Sequence, residues 1–248
     1  MNQIGLQLYT VRELLKEEPQ KVFDTIKAIG YDSIQLFGSI EKAEVWAKGA
    51  LAAGLSLGGI LIDLEACEEQ EQALFDFCKK YEIADIGISS RFEDFEKIDS
   101  YIKRVNAFAA KAKAEGFSFS YHNHGHEFIR LADGKHAMER FMAEFSEDVD
   151  FMPDTYWLHD GGYDIRRFLE ETCGRVKILH LKDLKKAEKG HTFAEIGMGN
   201  LYFEGILKTA LNCGISKFFV EQDICRMDPL ESIKISFENT KGLLEELK

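Results

Sequence analysis

Four short apolar runs each end on side chains able to bind a metal. His122 and His124 close Phe117-Ser-Phe-Ser-Tyr-His122-Asn123-His124, and Asp154 closes Val149-Asp-Phe-Met-Pro-Asp154. His180 closes Val176-Lys-Ile-Leu-His180, and Glu221 closes Lys217-Phe-Phe-Val-Glu221. All four pass from apolar strand to polar tip. As parallel neighbours in one sheet, their ends converge on one spot. Imidazoles and carboxylates gathered there make a divalent-metal site at the C-terminal mouth of a barrel. A mixed shell of this kind, with open positions, suits one Mn²⁺, Co²⁺, Zn²⁺ or Mg²⁺.

Strand parity points the same way. Side chains two apart share a face. Phe117, Phe119 and Tyr121 therefore face outward to helices, while Ser118, Ser120, His122 and His124 face the lumen. His180 shares its face with Ile178 and Lys182, and Glu221 with Phe219 and Asp223. Of the two histidines, one is expected to bind the metal and the other to contact substrate or support the ligands. We assign His124 to the metal with Asp154, His180 and Glu221, and His122 to catalysis, with the reverse open. Glu127 is either an alternative acid/base or a structural carboxylate. Lys182 is placed in the lumen beside a developing oxyanion or a phosphate. Trp157 is a candidate for stacking on a sugar ring, and Asn123 a candidate substrate contact. Arg91 and Arg226 follow strands and could bind an anionic substituent. Asp63 and Glu65 follow the third strand. Cys225 has no base positioned beside it.

These residues need a scaffold that alternates strand and helix. Strands are expected near Ile4–Tyr9, Ser33–Phe37, Ser56–Ile62, Ala84–Ile88, Phe117–Asn123, Asp150–Asp154, Val176–Leu181 and Lys217–Glu221. Helices are expected near Pro19–Ile29, Glu41–Ala53, Glu68–Tyr81, Asp94–Glu115, Lys135–Phe145, Ile165–Thr172, Phe203–Cys213 and Pro229–Leu247. Tyr101, Ile102, Val105, Phe108, Ala109 and Ala112 show the helical period. Gly30, Gly54, Gly116, Gly174 and Gly214 each stand where a helix stops and the next strand begins, as helix-ending glycines do. The alternation predicts an α/β fold, a single (β/α)₈ TIM barrel over residues 1–248. The first strand–helix turn lacks the glycine-rich phosphate fingerprint of a doubly wound sheet. Two connections stand out as loops: Tyr156 to Gly162, and the long segment from Asp183 to Tyr202, a candidate lid.

At 248 residues the chain has the length of one such barrel, ordinarily about 250. Asp plus Glu is 43 and Lys plus Arg 31, a formal net charge of −12, which disfavours a nucleic-acid partner. The five cysteines form no CxxC pair and read as mostly buried thiols of a reduced, cytoplasmic protein. No apolar run approaches membrane-spanning length, so no membrane partner is expected.

As an ordered set, several motifs resemble one family. They are Tyr121-His-Asn-His124 with Glu127-Phe128, Met152-Pro-Asp-Thr-Tyr-Trp157, Leu179-His-Leu-Lys-Asp183, Gly197-Met-Gly199 and Val220-Glu-Gln-Asp223. Together they are similar to the xylose-isomerase-like TIM-barrel sugar phosphate isomerase/epimerase superfamily. The resemblance implies that Asp154, His180 and Glu221 are three of four metal ligands drawn from the last four strands. The first ligand departs: His122-Asn-His124 stands where the epimerases of that group carry a glutamate. Their paired glutamates serve as acid and base, so here the second role falls to His122, His124 or Glu127. Gln35 likewise stands where relatives commonly carry an acid.

The implied function is metal-dependent isomerisation or epimerisation of a keto-sugar, sugar phosphate or related polyol through a cis-enediolate. The alternative is an inosose-type dehydratase sharing the same α-proton abstraction. DNA-repair chemistry and a non-catalytic sugar- or partner-binding barrel are further rivals. The acidic balance argues against the first, and the retained Asp154, His180 and Glu221 against the second. A homo-oligomer is expected by analogy alone.

Overall fold

The computed structural model describes residues 2–89, 95–131 and 134–247. Its strands, in chain order, are β1 (Gln3–Gln7), β2 (Ser33–Phe37), β3 (Ser56–Ile62), β4 (Asp85–Ile88), β5 (Ser118–His122), β6 (Val149–Met152), β7 (Leu179–Leu181), β8 (Asp183–Lys186), β9 (His191–Ala194) and β10 (Lys217–Val220). All but β8 and β9 join one parallel sheet in the order β6-β5-β4-β3-β2-β1-β10-β7. The sheet curls until its edges meet. There Phe151 bridges Val176 and Asp154 bridges His180, both in the parallel sense. The result is a near-closed eight-stranded barrel, and every strand delivers its C-terminal end to the same rim.

Helices α1 (Pro19–Ile29), α2 (Ile40–Ala52), α3 (Leu64–Glu69), α4 (Glu71–Lys80), α5 (Ile98–Ala114), α6 (Ala137–Glu144), α7 (Thr155–Asp160), α8 (Ile165–Glu171), α9 (Phe203–Asn212) and α10 (Pro229–Glu246) surround it. The expected helix over Glu68–Tyr81 is broken at Gln70, whose φ of −119° and ψ of 27° are not helical, giving α3 and α4. Gly30 ends α1 at φ 118°, a conformation that side chains with a Cβ rarely adopt. On β5 the expected parity holds. Phe119 packs on Phe108 of α5 and Tyr121 on Phe141 of α6, with ring centroids 5.1 and 5.0 Å apart.

Two expected loops carry structure. The segment after Asp154 forms the short helix α7, because Asp154 caps its first turn. The segment after Lys182 folds into an antiparallel hairpin, β8 with β9. Its strands include Lys185, Lys186, His191 and Thr192, and so lack the apolar alternation that marks a strand in sequence. The thiols also differ from expectation. Cys67 and Cys78 are buried, whereas Cys173 is exposed and Cys213 and Cys225 lie between. No helix among the described residues is long and apolar enough to cross a membrane.

The bore is filled in layers. At its N-terminal end Lys217 of β10 pairs with the buried Asp85 of β4. These strands stand four places apart in a ring of eight, so the ion pair crosses the bore. Above it Leu61, Met152, Ile178 and Phe219 form an inner apolar cluster. Phe219 fits because β1 and β3 present glycines to it. A Cβ on Gly5 or Gly58 would fall 2.3 Å from its ring. The metal-ligand types sit on this apolar floor.

Two substitutions test the packing. Phe219→Ala empties the centre of the bore and is expected to cost about 3–5 kcal/mol in urea unfolding. Gly58→Ala, forced against the same ring, is expected to cost about 1–3 kcal/mol. Much of that second loss should return in a Gly58→Ala, Phe219→Leu double variant. Additive losses would show that the two positions do not share one space.

Candidate functional site

The C-terminal rim brings His122, Asp154, His180 and Glu221 together. One ligand atom from each lies within 4.8 Å of the others, and all four residues are buried. His122 ends β5, His180 is the middle residue of β7, and Asp154 and Glu221 stand just beyond β6 and β10. His124 does not join this group. It lies beyond the β5 ladder and clusters with His126 and Glu127. Of the two assignments open in the sequence, the grouping is the one with His122 beside Asp154, His180 and Glu221.

Hydrogen bonds fix which atom each donor presents. His122 Nδ1 lies 3.2 Å from the Met152 carbonyl, which can only accept, so Nδ1 carries the proton and Nε2 its lone pair. His180 Nε2 meets Gln35 Oε1 at 2.7 Å, and the same oxygen accepts from Gln7 Nε2 at 2.7 Å. His180 Nδ1 then faces Glu221 Oε2 at 2.8 Å, two groups that would each accept. Only a proton or a cation between them makes that contact favourable. Asp154 Oδ1 takes the amides of Tyr156 and Trp157 at 2.8 and 3.1 Å, capping α7 and leaving Oδ2 toward the centre. Oriented imidazoles with occupied second nitrogens are what metal ligation asks of a protein. The donor set suits a divalent cation, which His122, Asp154, His180 and Glu221 could hold.

Lys182 supplies positive charge to the same spot. Its Nζ lies 2.9 Å from Asp154 Oδ2, 2.9 Å from Asp223 Oδ1 and 3.5 Å from Glu221 Oε1, and the side chain is buried. Burial disfavours its ammonium, but Asp154, Glu221 and Asp223 more than offset this and hold it charged. Burial likewise opposes charge on Glu221, yet the Lys182 ammonium outweighs it and keeps its carboxyl well below the usual range. Asp154 is pushed by burial up to about 6 against the pull of Lys182. His122 is held well below the usual histidine value, first by burial and then by His180, so it is the neutral imidazole that can ligate.

A cavity of about 260 Å³ opens beside the cluster. Tyr9, Phe37, Leu61 and Ile62 form part of its wall, with His122, His124, Trp157, Lys182, Glu221, Asp223 and Asp63. Trp157 thus stands in the cavity wall. Asn123 is buried and spent on backbone: its Oδ1 accepts from the Asp154 amide at 3.0 Å and its Nδ2 donates to the His124 carbonyl at 3.3 Å. Glu127 is buried away from the cavity, accepting from Tyr121 Oη at 2.8 Å and from the His124 amide at 2.9 and 3.0 Å. Arg226 is exposed and does not line the cavity. Glu65 pairs with Arg104. Burial raises the Cys225 thiol, away from nucleophilic form. Arg91 lies outside the described residues.

Gln7 was not singled out in the sequence. The signal is an amide at the end of one apolar strand and another in the middle of the next, for Gln7 pairs with Gln35 across the β1–β2 ladder. Asp183 stands in the Leu179-His-Leu-Lys-Asp183 motif without a role of its own in the sequence. Its buried carboxylate accepts the amides of Leu184, Gly197, Gly199 and Leu201 at 2.7–3.2 Å, which binds the return of the hairpin to the rim. A Cβ on Gly199 would fall 2.3 Å from Asp183 Oδ1, so the Gly-Met-Gly motif makes room for this carboxylate.

The sequence model of the family described as xylose isomerase-like TIM barrel matches residues 63–238. No curated protein matches the chain in sequence. Among solved structures, a sugar phosphate isomerase/epimerase from Parabacteroides distasonis superposes with a TM-score of 0.81 at 20% identity, over 96% of this chain and 97% of that one. A xylose isomerase-like TIM barrel protein from Mycobacterium smegmatis in complex with magnesium gives 0.71 at 14%, over 100% and 97%. The IOLI protein with a bound zinc atom gives 0.73 at 14%, over 100% and 99%. At these identities the likenesses speak for the fold.

Glu127 makes stability depend on pH. Burial raises its carboxyl from the ordinary 4.5 to about 7. A carboxyl raised on folding favours the native state below its unfolded value, and that contribution is lost as pH rises through the folded one. Stability should therefore fall between about pH 4.5 and 7, by an amount on the order of 3 kcal/mol from this group. Glu127→Gln, measured by urea unfolding across that range, should flatten the slope. An unchanged slope would place the dependence elsewhere.

Proposed function

The chain belongs to the xylose isomerase-like TIM barrel family, and from that premise we propose that it is a divalent-metal-dependent isomerase or epimerase of a keto-sugar, a sugar phosphate or a related polyol. The observation that carries this reading is the meeting of His122, Asp154, His180 and Glu221 in and beside the wall of a cavity sized for a small molecule. When bound, the metal supplies Lewis-acid polarisation to a carbonyl and its neighbouring hydroxyl. Mn, Co, Zn and Mg all suit the donors.

The remaining work falls to the chain's own groups. Glu221 lines the cavity with its carboxyl held in the charged form, so it takes the proton α to the carbonyl. His124 also lines the cavity and serves as the second proton-transfer group, the part the sequence reading gave first to His122. The Lys182 ammonium stabilises negative charge developing on a substrate oxygen. Tyr9, Phe37 and Trp157 give the cavity an aromatic wall that packs on the substrate's C–H groups and excludes water. Return of the proton to the adjacent carbon isomerises the substrate, and return to the opposite face epimerises it.

One observation favours a second reading. The β5 rim ends in imidazoles, and His124 in its protonated form could deliver a proton to a departing hydroxyl. The same first step would then end in loss of water, as in an inosose-type dehydratase. Product mass separates the two outcomes.

Elemental analysis comes first. About one Mn, Co, Zn or Mg per chain is expected, lost in a Glu221→Gln, His180→Ala double variant. Keto-sugars that turn over should exchange their α-proton with deuterated water. Glu221→Gln should slow that exchange by roughly 10²- to 10⁴-fold. Absence of metal after reconstitution with each ion would end this reading.

A further inference from the structure

A divalent cation at this centre and the Lys182 ammonium need the same oxygen. Asp154 Oδ1 is committed to the α7 amides, so only Oδ2 can face the centre, and Oδ2 lies 2.9 Å from Lys182 Nζ. Glu221 Oε1 is 3.5 Å from the same nitrogen. Two cations cannot share these oxygens without strong repulsion. Lys182 has one further anionic partner, Asp223 Oδ1 at 2.9 Å, and Asp223 is not among the four converging donors.

Asp223 is well held for such a part. Its backbone carbonyl accepts from Arg12 Nη1 at 2.9 Å. The Arg12 guanidinium lies 4.0 Å over the ring of Tyr9, which ties the segment after β10 to the end of β1. Asp223 also lines the cavity. The charges agree: the three carboxylates around the one ammonium leave a net charge of −2, the complement of one divalent cation.

Resting on the metal-centre reading above, we propose that Lys182 is a built-in competitor of the metal, and that Asp223 is the positioning residue onto which it withdraws when the metal takes Asp154 and Glu221. With Asp223 in place the ammonium is kept at the cavity wall, where it can meet substrate. Without Asp223 it remains on the metal's oxygens.

The test is Mn²⁺ binding to the full chain, stripped by chelator and titrated without substrate, with free Mn²⁺ read by electron paramagnetic resonance. Circular dichroism confirms that each variant is folded. Lys182→Met should tighten binding by at least about tenfold, because the competitor is gone. Lys182→Gln serves the same purpose if the methionine variant does not fold. Asp223→Asn should weaken binding by a similar factor. The deciding measurement is the double variant. If Asp223 acts through Lys182, Asp223→Asn has little effect once Lys182 is replaced. An equal loss in both backgrounds would show a direct charge effect and overturn the proposal. So would unchanged or weaker binding in Lys182→Met while the wild type binds. Absence of binding in wild type and in every Lys182 variant would remove the metal centre itself, and the proposal with it.

Discussion

Charge buried at the head of a barrel must be balanced within a few ångströms, and much of this structure answers that demand. Burying one ammonium or carboxylate alone is prohibitive, and even a pair repays its desolvation only when every remaining lone pair and proton finds a partner. Here Lys182, Asp154, Glu221 and Asp223 neutralise one another in part. The amides of α7, the Gln7–Gln35 pair and the Met152 carbonyl satisfy most of the rest, and Asp154 Oδ2 has no hydrogen-bond partner among the described residues. The apolar floor of Leu61, Met152, Ile178 and Phe219 keeps the medium below poor in water, which strengthens each of these interactions.

The same demand explains the loops above. Asp183 directly follows Lys182 and is as deeply buried, but it points its charge into a nest of backbone amides. That choice folds the hairpin back on the rim. Its Phe193 stacks on Tyr156, with centroids 4.4 Å apart, and packs edge-on against Trp157, which lines the cavity. Adjacent residues of one motif thus do different work: the lysine balances the centre, and the aspartate anchors the hairpin that packs against Tyr156 and Trp157.

Much of this is legible in the sequence because strands obey a period of two. Parity alone places His122, Ser120, His180 and Glu221 inward and Phe119 and Tyr121 outward. Parity does not give height along the bore. His122 and His124 share a face, and only the ladder, which pairs His122 with Met152 and then ends, separates a donor at the rim from one beyond it. Asp154 shows a second limit. The residue reads as a ligand, but its service as cap to α7 depends on a helix too short to leave a periodic signature. Asn123 and Glu127 show a third. A polar side chain near a site reads as functional, whereas both are consumed by the backbone that shapes it. The hairpin is hidden in the sequence because its paired strands carry polar residues on both faces and show no apolar alternation.

The ring is least secure between β6 and β7. There it closes by two isolated bridges, with the Phe151 amide donating to the Arg175 carbonyl at 2.6 Å and the His180 amide to the Pro153 carbonyl at 2.9 Å. One of those bridges joins Asp154 to His180, two of the four converging donors. The seam and the donor set are therefore one object. Any breathing that parts the two staves also changes the bite of the site. Asp154 and His180 thus serve twice, as donors to the site and as the hoop that closes the barrel.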